Sequence, residues 1–389
     1  MVVYIDFGTS RTALAITTDA NNWVEVDRLA RPARGREPAG AVGWTALQNV
    51  ILGARGSSAR YQSNPIPHMI LHSRYCDFRG LALPVELAGN DIVLPVGAEL
   101  RPSAAARDFE SLKQEPQLAK AFVGALRSYI DATAGTGAQW VIGRSSGGIN
   151  PGELGLPNST ESPNEAVAVI FALVAHDAGK LLDAHRNRFV VVADLGGGFL
   201  DLCVADNLVL DEAGRQADIV SYGGYPLGVD RIDSRFSTTR ITRGVTRLAD
   251  VIGLAIRYHV WDYRRRSKAN ANRNGVVILT GGGFQRAVIQ PRDLGLNDDR
   301  LAVEKVEYDT KYLTLKGLQT MMVNRALDGR GHIGQDITRE SPRTFGYDLL
   351  DHFGKRADWA AGVLGAVKAE TTWYAVMDSL RRAAVSPGF

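Results

Sequence analysis

The sequence predicts an α/β protein built from two related lobes, and three observations carry that expectation. An apolar strand ending in an aspartate and a glycine turn opens the chain at Val2 to Gly8, and the same plan returns at Phe189 to Gly198. A third apolar strand, Val276 to Thr280, runs into Gly281-Gly282-Gly283. The chain has 389 residues, enough for two or three domains with cores of their own.

The first cluster, Val2-Val3-Tyr4-Ile5-Asp6-Phe7-Gly8-Thr9-Ser10, passes through a polar turn into a second β-rich run, Thr12 to Ile16. It reads as a hairpin with Asp6 at its throat. The second cluster repeats the plan, with strand Phe189 to Ala193, then Asp194, Gly196-Gly197-Gly198, and an alternating strand from Phe199 to Val204. Such an internal echo marks two related halves. In a glycine turn, successive backbone N–H groups converge on an anion because no Cβ blocks the approach, which makes a nest for phosphate oxygens. An aspartate beside such a nest repels phosphate unless a cation sits between them. Mg²⁺ is held through one or two carboxylates plus phosphate oxygens, and Asp6 and Asp194 suit that role. Thr9 and Ser10 can donate hydroxyls to the same phosphates.

In this order the three motifs resemble those of the actin, sugar kinase and heat-shock chaperone ATPase superfamily. Asp6-Phe7-Gly8-Thr9-Ser10 is similar to its first phosphate motif, Asp194-Leu195-Gly196-Gly197-Gly198 to its second, and Thr280-Gly281-Gly282-Gly283 to its adenosine motif. Tyr222 to Asp233, with Gly228, resembles the glycine turn that follows the second phosphate hairpin in the chaperone ATPases. Glu304 to Asp309 and Tyr312 to Leu318 resemble the strand and helix after the adenosine motif in plasmid-segregating bacterial actins. The resemblance implies two lobes, each a ribonuclease H-like mixed five-stranded sheet with helices, closing on ATP or ADP and Mg²⁺. It places Asp6 and Asp194 at the metal through water, and the Gly8 to Ser10 and Gly196 to Gly198 backbones at the phosphates. Gly228 and Gly281 to Gly283 fall close to the nucleotide.

It also implies a connecting helix, here Glu165 onward, apolar nearly all round as a buried helix requires, with Pro163 suited to its first turn. Glu161, one residue out of the family spacing, takes the role of ordering the catalytic water, with Glu165 as the alternative. Lys113, after Phe109-Glu110-Ser111-Leu112, is similar to a lysine that reaches the γ-phosphate; a solvated helix face explains it equally. Arg286 lies near the position of an adenine-stacking arginine, displaced by one residue.

The pattern also departs from the family. Few residues separate Asp233 from Gly281, and these must include helical stretches such as Leu248 to Arg266, so the inserted subdomain of the second lobe is expected to be reduced or absent. That loss counts against end-to-end stacking of the actin type. Phe199 stands where the chaperone ATPases carry a threonine, which bears on hydrolysis more than on binding. The expected organisation is a first lobe over 1–185 with an inserted subdomain at about 30–135, a second lobe over 186–329, and a C-terminal helical extension over 330–389 that packs back on the body.

Composition excludes several other classes. Apolar residues make up 45% and charged residues 22%, which fits neither disorder nor a fibrous architecture. The net charge of +3 gives no electrostatic footprint for nucleic acid, and the basic run Arg264-Arg265-Arg266-Ser267-Lys268 reads as a helix end. The two cysteines, Cys76 and Cys203, build neither a redox centre nor a zinc site. The sequence shows no leader and no run of ~18 apolar residues, so a cytoplasmic location without a membrane span is expected. The resulting expectation is an ATP-binding, ATP-hydrolysing switch that acts on a protein partner. A filament-forming bacterial actin-like protein that self-associates, a small-molecule kinase and a nucleotide-binding pseudo-ATPase scaffold are the alternatives.

Overall fold

The computed structural model describes residues 2–7, 12–17, 24–25, 86–88, 91–93, 127, 136–144, 151–156, 158–176, 181–209, 216–229, 238–266, 270–285, 289–296, 298–306, 310–324, 333–342, 346–367 and 372–385. The chain divides into two compact units, Met1–Arg144 with Gly148–Ser162, and Ser145–Gly147 with Pro163–Phe389.

The first unit carries a five-stranded sheet. Its strands are β1 (Val2–Phe7), β2 (Thr12–Thr17) and β3 (Val24–Glu25), and, after a separate hairpin of β4 (Glu86–Ala88) and β5 (Asp91–Val93), β6 (Gln139–Gly143) and β7 (Ser159–Glu161). The order is β3-β2-β1-β6-β7. β2 runs antiparallel to both β1 and β3, whereas β6 runs parallel to β1 and β7 parallel to β6. Val3, Tyr4 and Ile5 are all buried, as a central strand covered on both faces requires.

The second unit repeats this plan. After helix α1 (Glu165–His176) come β8 (Phe189–Leu195), β9 (Leu200–Val209) and β10 (Gln216–Tyr225), then helix α2 (Thr238–Arg266), β11 (Gly275–Thr280), the single turn α3 (Gly282–Gln285), β12 (Leu301–Lys305) and helix α4 (Thr310–Val323). The sheet order β12-β11-β8-β9-β10 is that of the first sheet, and the strand directions are the same. Both sheets therefore have the mixed ribonuclease H-like order, and the α/β expectation holds. One strand was not foreseen: β13 (Ile333–Asp336) adds to the edge of the second sheet, parallel to β10.

Alternation along the strands divides the second sheet into two buried faces. Phe189, Val191, Ala193 and Leu195 of β8 share one core with Leu200, Leu202 and Val204 of β9, Val277 and Leu279 of β11 and a row from α2 that includes Leu248, Ile252 and Ala255. Val190, Val192, Cys203, Ala205, Val276 and Ile278, also buried, point the other way, where α1 packs on β8, β9 and β10. Burial pushes the Cys203 thiol well above its usual range, as for an inert core residue. Helix α1 also packs on α4 so closely that a Cβ on Gly317 would lie 1.7 Å from the Ala168 carbonyl oxygen. The sequence assigned Pro163 to the first turn of α1. The structure begins the helix at Glu165 and makes Asn164 its cap, its Oδ1 accepting the Ala166 N–H at 2.8 Å, so Pro163 lies outside the helix.

Helix α2 runs unbroken for 29 residues, and a short turn at 270–274 leads from its neighbourhood into β11. Its outer side carries helices α5 (Tyr347–Arg356), α6 (Ala361–Val367) and α7 (Trp373–Val385). Trp373, fully buried, stacks on Tyr258 of α2 with ring centroids 4.1 Å apart. His259, one residue on, is also fully buried beside the Tyr225 hydroxyl at 3.2 Å, and burial pulls its pKa down to about 3, so the ring is held neutral.

The described arginines at the end of α2 are engaged in ion pairs. Arg264 reaches Asp298, Arg265 and Arg266 both reach the fully buried Asp262, Arg266 also meets Glu340, and Arg273 meets Asp206 at 2.6 Å. These contacts fasten the end of α2 to the sheet and to the β13 segment. No helix among the described residues is long and apolar enough to cross a membrane.

Candidate functional site

Three glycine segments of the second unit meet where β8 and β11 end. The β8–β9 turn closes with the Gly196 N–H donating to the Phe199 carbonyl at 2.8 Å. The segment after β10 lies against that turn: the Gly228 N–H donates to the Gly198 carbonyl and the Val229 N–H to the Gly196 carbonyl, each at 3.2 Å. A Cβ on Gly228 would stand 2.0 Å from the Gly197 oxygen. From β11, Gly281 has φ +91°, a region that disfavours any side chain, and a Cβ there would lie 2.3 Å from Asp194 Oδ1 and 2.5 Å from the Leu195 oxygen. A Cβ on Gly283 would collide with the Leu195 side chain. Only glycine fits at these three positions, and the effect is to bring three backbones and the half-buried Asp194 carboxylate to the C-terminal end of parallel strands, where ligands bind in open α/β sheets.

One row of side chains crosses the sheet at this end. Thr280 is in register with Asp194, Asp194 with Asp201 and Asp201 with Gly224. Register partners share a face, and this is the face on which α1 packs. Asp201 is held there by Asn164, whose Nδ2 donates to Asp201 Oδ1 at 2.9 Å and to the Gly223 carbonyl at 3.0 Å. Because Asn164 Oδ1 is committed to the helix cap, its amide has one orientation, and a single side chain ties the start of α1 to β9 and β10. Asn164→Ala removes a cap, worth ~1 kcal/mol, and a donor to a buried carboxylate, worth ~1–3 kcal/mol. The expected loss is about 2–4 kcal/mol, read as a lowered midpoint in chemical denaturation.

The first unit offers a simpler arrangement. Asp6 is buried near the end of β1, in register with Gly143 of β6. Glu161 ends β7 in register with Ile142, itself in register with Ile5, so strand alternation sets Asp6 and Glu161 on opposite faces. Glu161 pairs with Arg144 at 3.2 Å; burial raises its carboxyl pKa while the guanidinium draws it down. Glu165 is buried in the first turn of α1.

No protein-family profile matches the chain, and no curated protein matches it in sequence. Solved structures do. A non-polymerisable quadruple mutant of pCBH ParM is 13% identical, covers 83% of this chain and 99% of its own, and superposes with a TM-score of 0.42. Apo pSK41 ParM gives 12%, 84%, 98% and 0.35, and ADP-bound MreB5 of Spiroplasma citri gives 11%, 85%, 98% and 0.40. The likeness is to ParM and MreB5 structures. It is distant, and the strand order of the two sheets establishes the fold without it.

Of the residues singled out in the sequence, the structure brings together Asp194, Gly196, Gly197, Gly198, Gly228, Gly281, Gly282 and Gly283 at one end of one sheet. Asp6 and Glu161 belong to the other unit. Gly8, Thr9, Ser10, Lys113 and Arg286 lie outside the described residues. Phe199 is buried and serves the turn through its carbonyl oxygen. Two residues had no assigned role, Asn164 and Thr280. An asparagine directly before an apolar helix is a readable cap signal; the place of Thr280 beside Asp194 depends on strand register, which one sequence does not display.

Proposed function

We propose that the protein binds ATP with Mg²⁺ and hydrolyses it, coupling nucleotide state to a protein partner or to other copies of itself. The observation that supports this most is the convergence of Asp194, the Gly196 to Gly198 turn, Gly228 and Gly281 at the end of β8 and β11. Backbone N–H groups of the turn suit phosphate oxygens, Asp194 suits a hydrated Mg²⁺ held through one carboxylate, and the open space beside Gly282, where a Cβ would meet nothing within 4 Å, suits the nucleoside. Bound Mg²⁺ would neutralise phosphate charge there. The sequence between β1 and β2 in the first unit, with Asp6, Gly8, Thr9 and Ser10, carries the equivalent groups, and Glu161, Lys113 and Arg286 keep the roles that the resemblance implies.

A filament-forming protein would use the same site, and ParM and MreB5 are among the proteins whose structures this chain resembles. Adding ATP and Mg²⁺ while following light scattering and phosphate release separates the forms. Scattering that rises with ATP identifies assembly, phosphate release without scattering identifies a switch, and binding without either identifies a scaffold. Absence of any nucleotide binding overturns the proposal.

A further inference from the structure

Thr280 is fully buried, and its hydroxyl Oγ1 has no hydrogen-bond partner among the described residues. A buried hydroxyl left unpaired is costly, and valine, of the same shape and with a higher preference for strands, would fill the position without that cost. The hydroxyl sits in the last residue of β11, in register with Asp194 on the neighbouring parallel strand and on the same face. The Asp194 carboxylate leans toward β11, since its Oδ1 lies where a Cβ of the next residue, Gly281, would stand at 2.3 Å. Thr280 is fully buried and closed to solvent, whereas the half-buried Asp194 is open to it.

We propose that Thr280 is a positioning residue for Asp194. When the carboxylate turns to a hydrated divalent cation, the Thr280 hydroxyl donates to its inner oxygen and fixes which oxygen faces the cation. Partners of this kind tune cation affinity by about 10–100-fold in metal sites generally. The inference rests on the nucleotide reading and deepens it. It also accounts for a hydroxyl kept where an apolar residue would make the ligand-free protein more stable.

The test is the Mg²⁺ concentration that half-restores ATP binding after EDTA treatment, measured by calorimetry for the full-length chain as wild type, Thr280→Val and Thr280→Ser, with the thermal midpoint of each ligand-free protein. The expected result is a Mg²⁺ requirement about 10-fold higher in Thr280→Val, recovery in Thr280→Ser, and a ligand-free midpoint for Thr280→Val equal to or above wild type. A purely structural threonine would change the midpoint and leave the Mg²⁺ requirement alone. An unchanged requirement in a folded Thr280→Val, alongside Mg²⁺-dependent binding by wild type, overturns the inference and leaves the nucleotide reading standing. If Thr280→Val does not fold, a Thr280→Ser requirement as poor as that of Thr280→Ala overturns it. Wild type that binds no ATP overturns both.

Discussion

Trp373→Ala is expected to destabilise the second unit by about 3–5 kcal/mol, the range for emptying a large aromatic site in a core. The indole is fully buried between the ring of Tyr258 and the backbone of Gly346, where a Cβ would lie 2.1 Å from Trp373 Cζ2. Two backbone bonds fix its helix at the same point, Trp373 N–H to the Glu340 carbonyl at 3.0 Å and Tyr374 N–H to the Thr338 carbonyl at 2.9 Å. Neighbouring groups are therefore poorly placed to close the space. The C-terminal helices are part of the core that backs α2, and calorimetric unfolding should show one lowered transition for the second unit. A separate early transition of the C-terminal helices, with the main one unmoved, would mean that they dock without contributing to that core.

Gly228→Ala should have a large effect for a single added carbon. The new methyl carbon would sit 2.0 Å from the Gly197 oxygen and 2.3 Å from the carbonyl carbons of Gly197 and Gly198, and all three are backbone atoms of the turn. No side chain can swing away, so the turn itself must shift. Overpacking of this kind costs ~1–3 kcal/mol, and because the moved atoms are those proposed to face phosphate, the loss in ATP binding should exceed the loss in stability. Denaturation and ATP titration on the same variant check this. An unaltered affinity would show that the turn geometry does not matter to the ligand.

The fold was legible because its main features are local. Asp6 and Asp194 each end an apolar strand before glycine, and that pattern predicted two sheets of one plan. α2 was expected as the helical stretch Leu248 to Arg266 and begins ten residues earlier, while the expectation of α4 came from the resemblance at Tyr312 to Leu318. Strand β13 escaped notice because Ile333-Gly334-Gln335-Asp336 is short and mixed, and its strand character comes from pairing with β10, a long-range contact. The same holds within the site. The glycines announce themselves through residue type, whereas Asn164 and Thr280 gain meaning only when register and helix packing set them beside Asp201 and Asp194. The basic run shows the reverse. Four clustered basic residues suggest a surface for anions, yet Arg264, Arg265 and Arg266 are engaged by carboxylates distant in sequence or one turn back.

The most direct test of the account is calorimetric titration of ATP into wild type and Asp194→Ala, each with Mg²⁺ and with EDTA. The account predicts saturable binding by wild type that weakens on removal of Mg²⁺, and binding by Asp194→Ala that is weak under both conditions and no longer sensitive to the metal. Equal affinities for wild type and variant, or an affinity indifferent to Mg²⁺ in wild type, would contradict the claim that the end of β8 and β11 is a metal-assisted phosphate site.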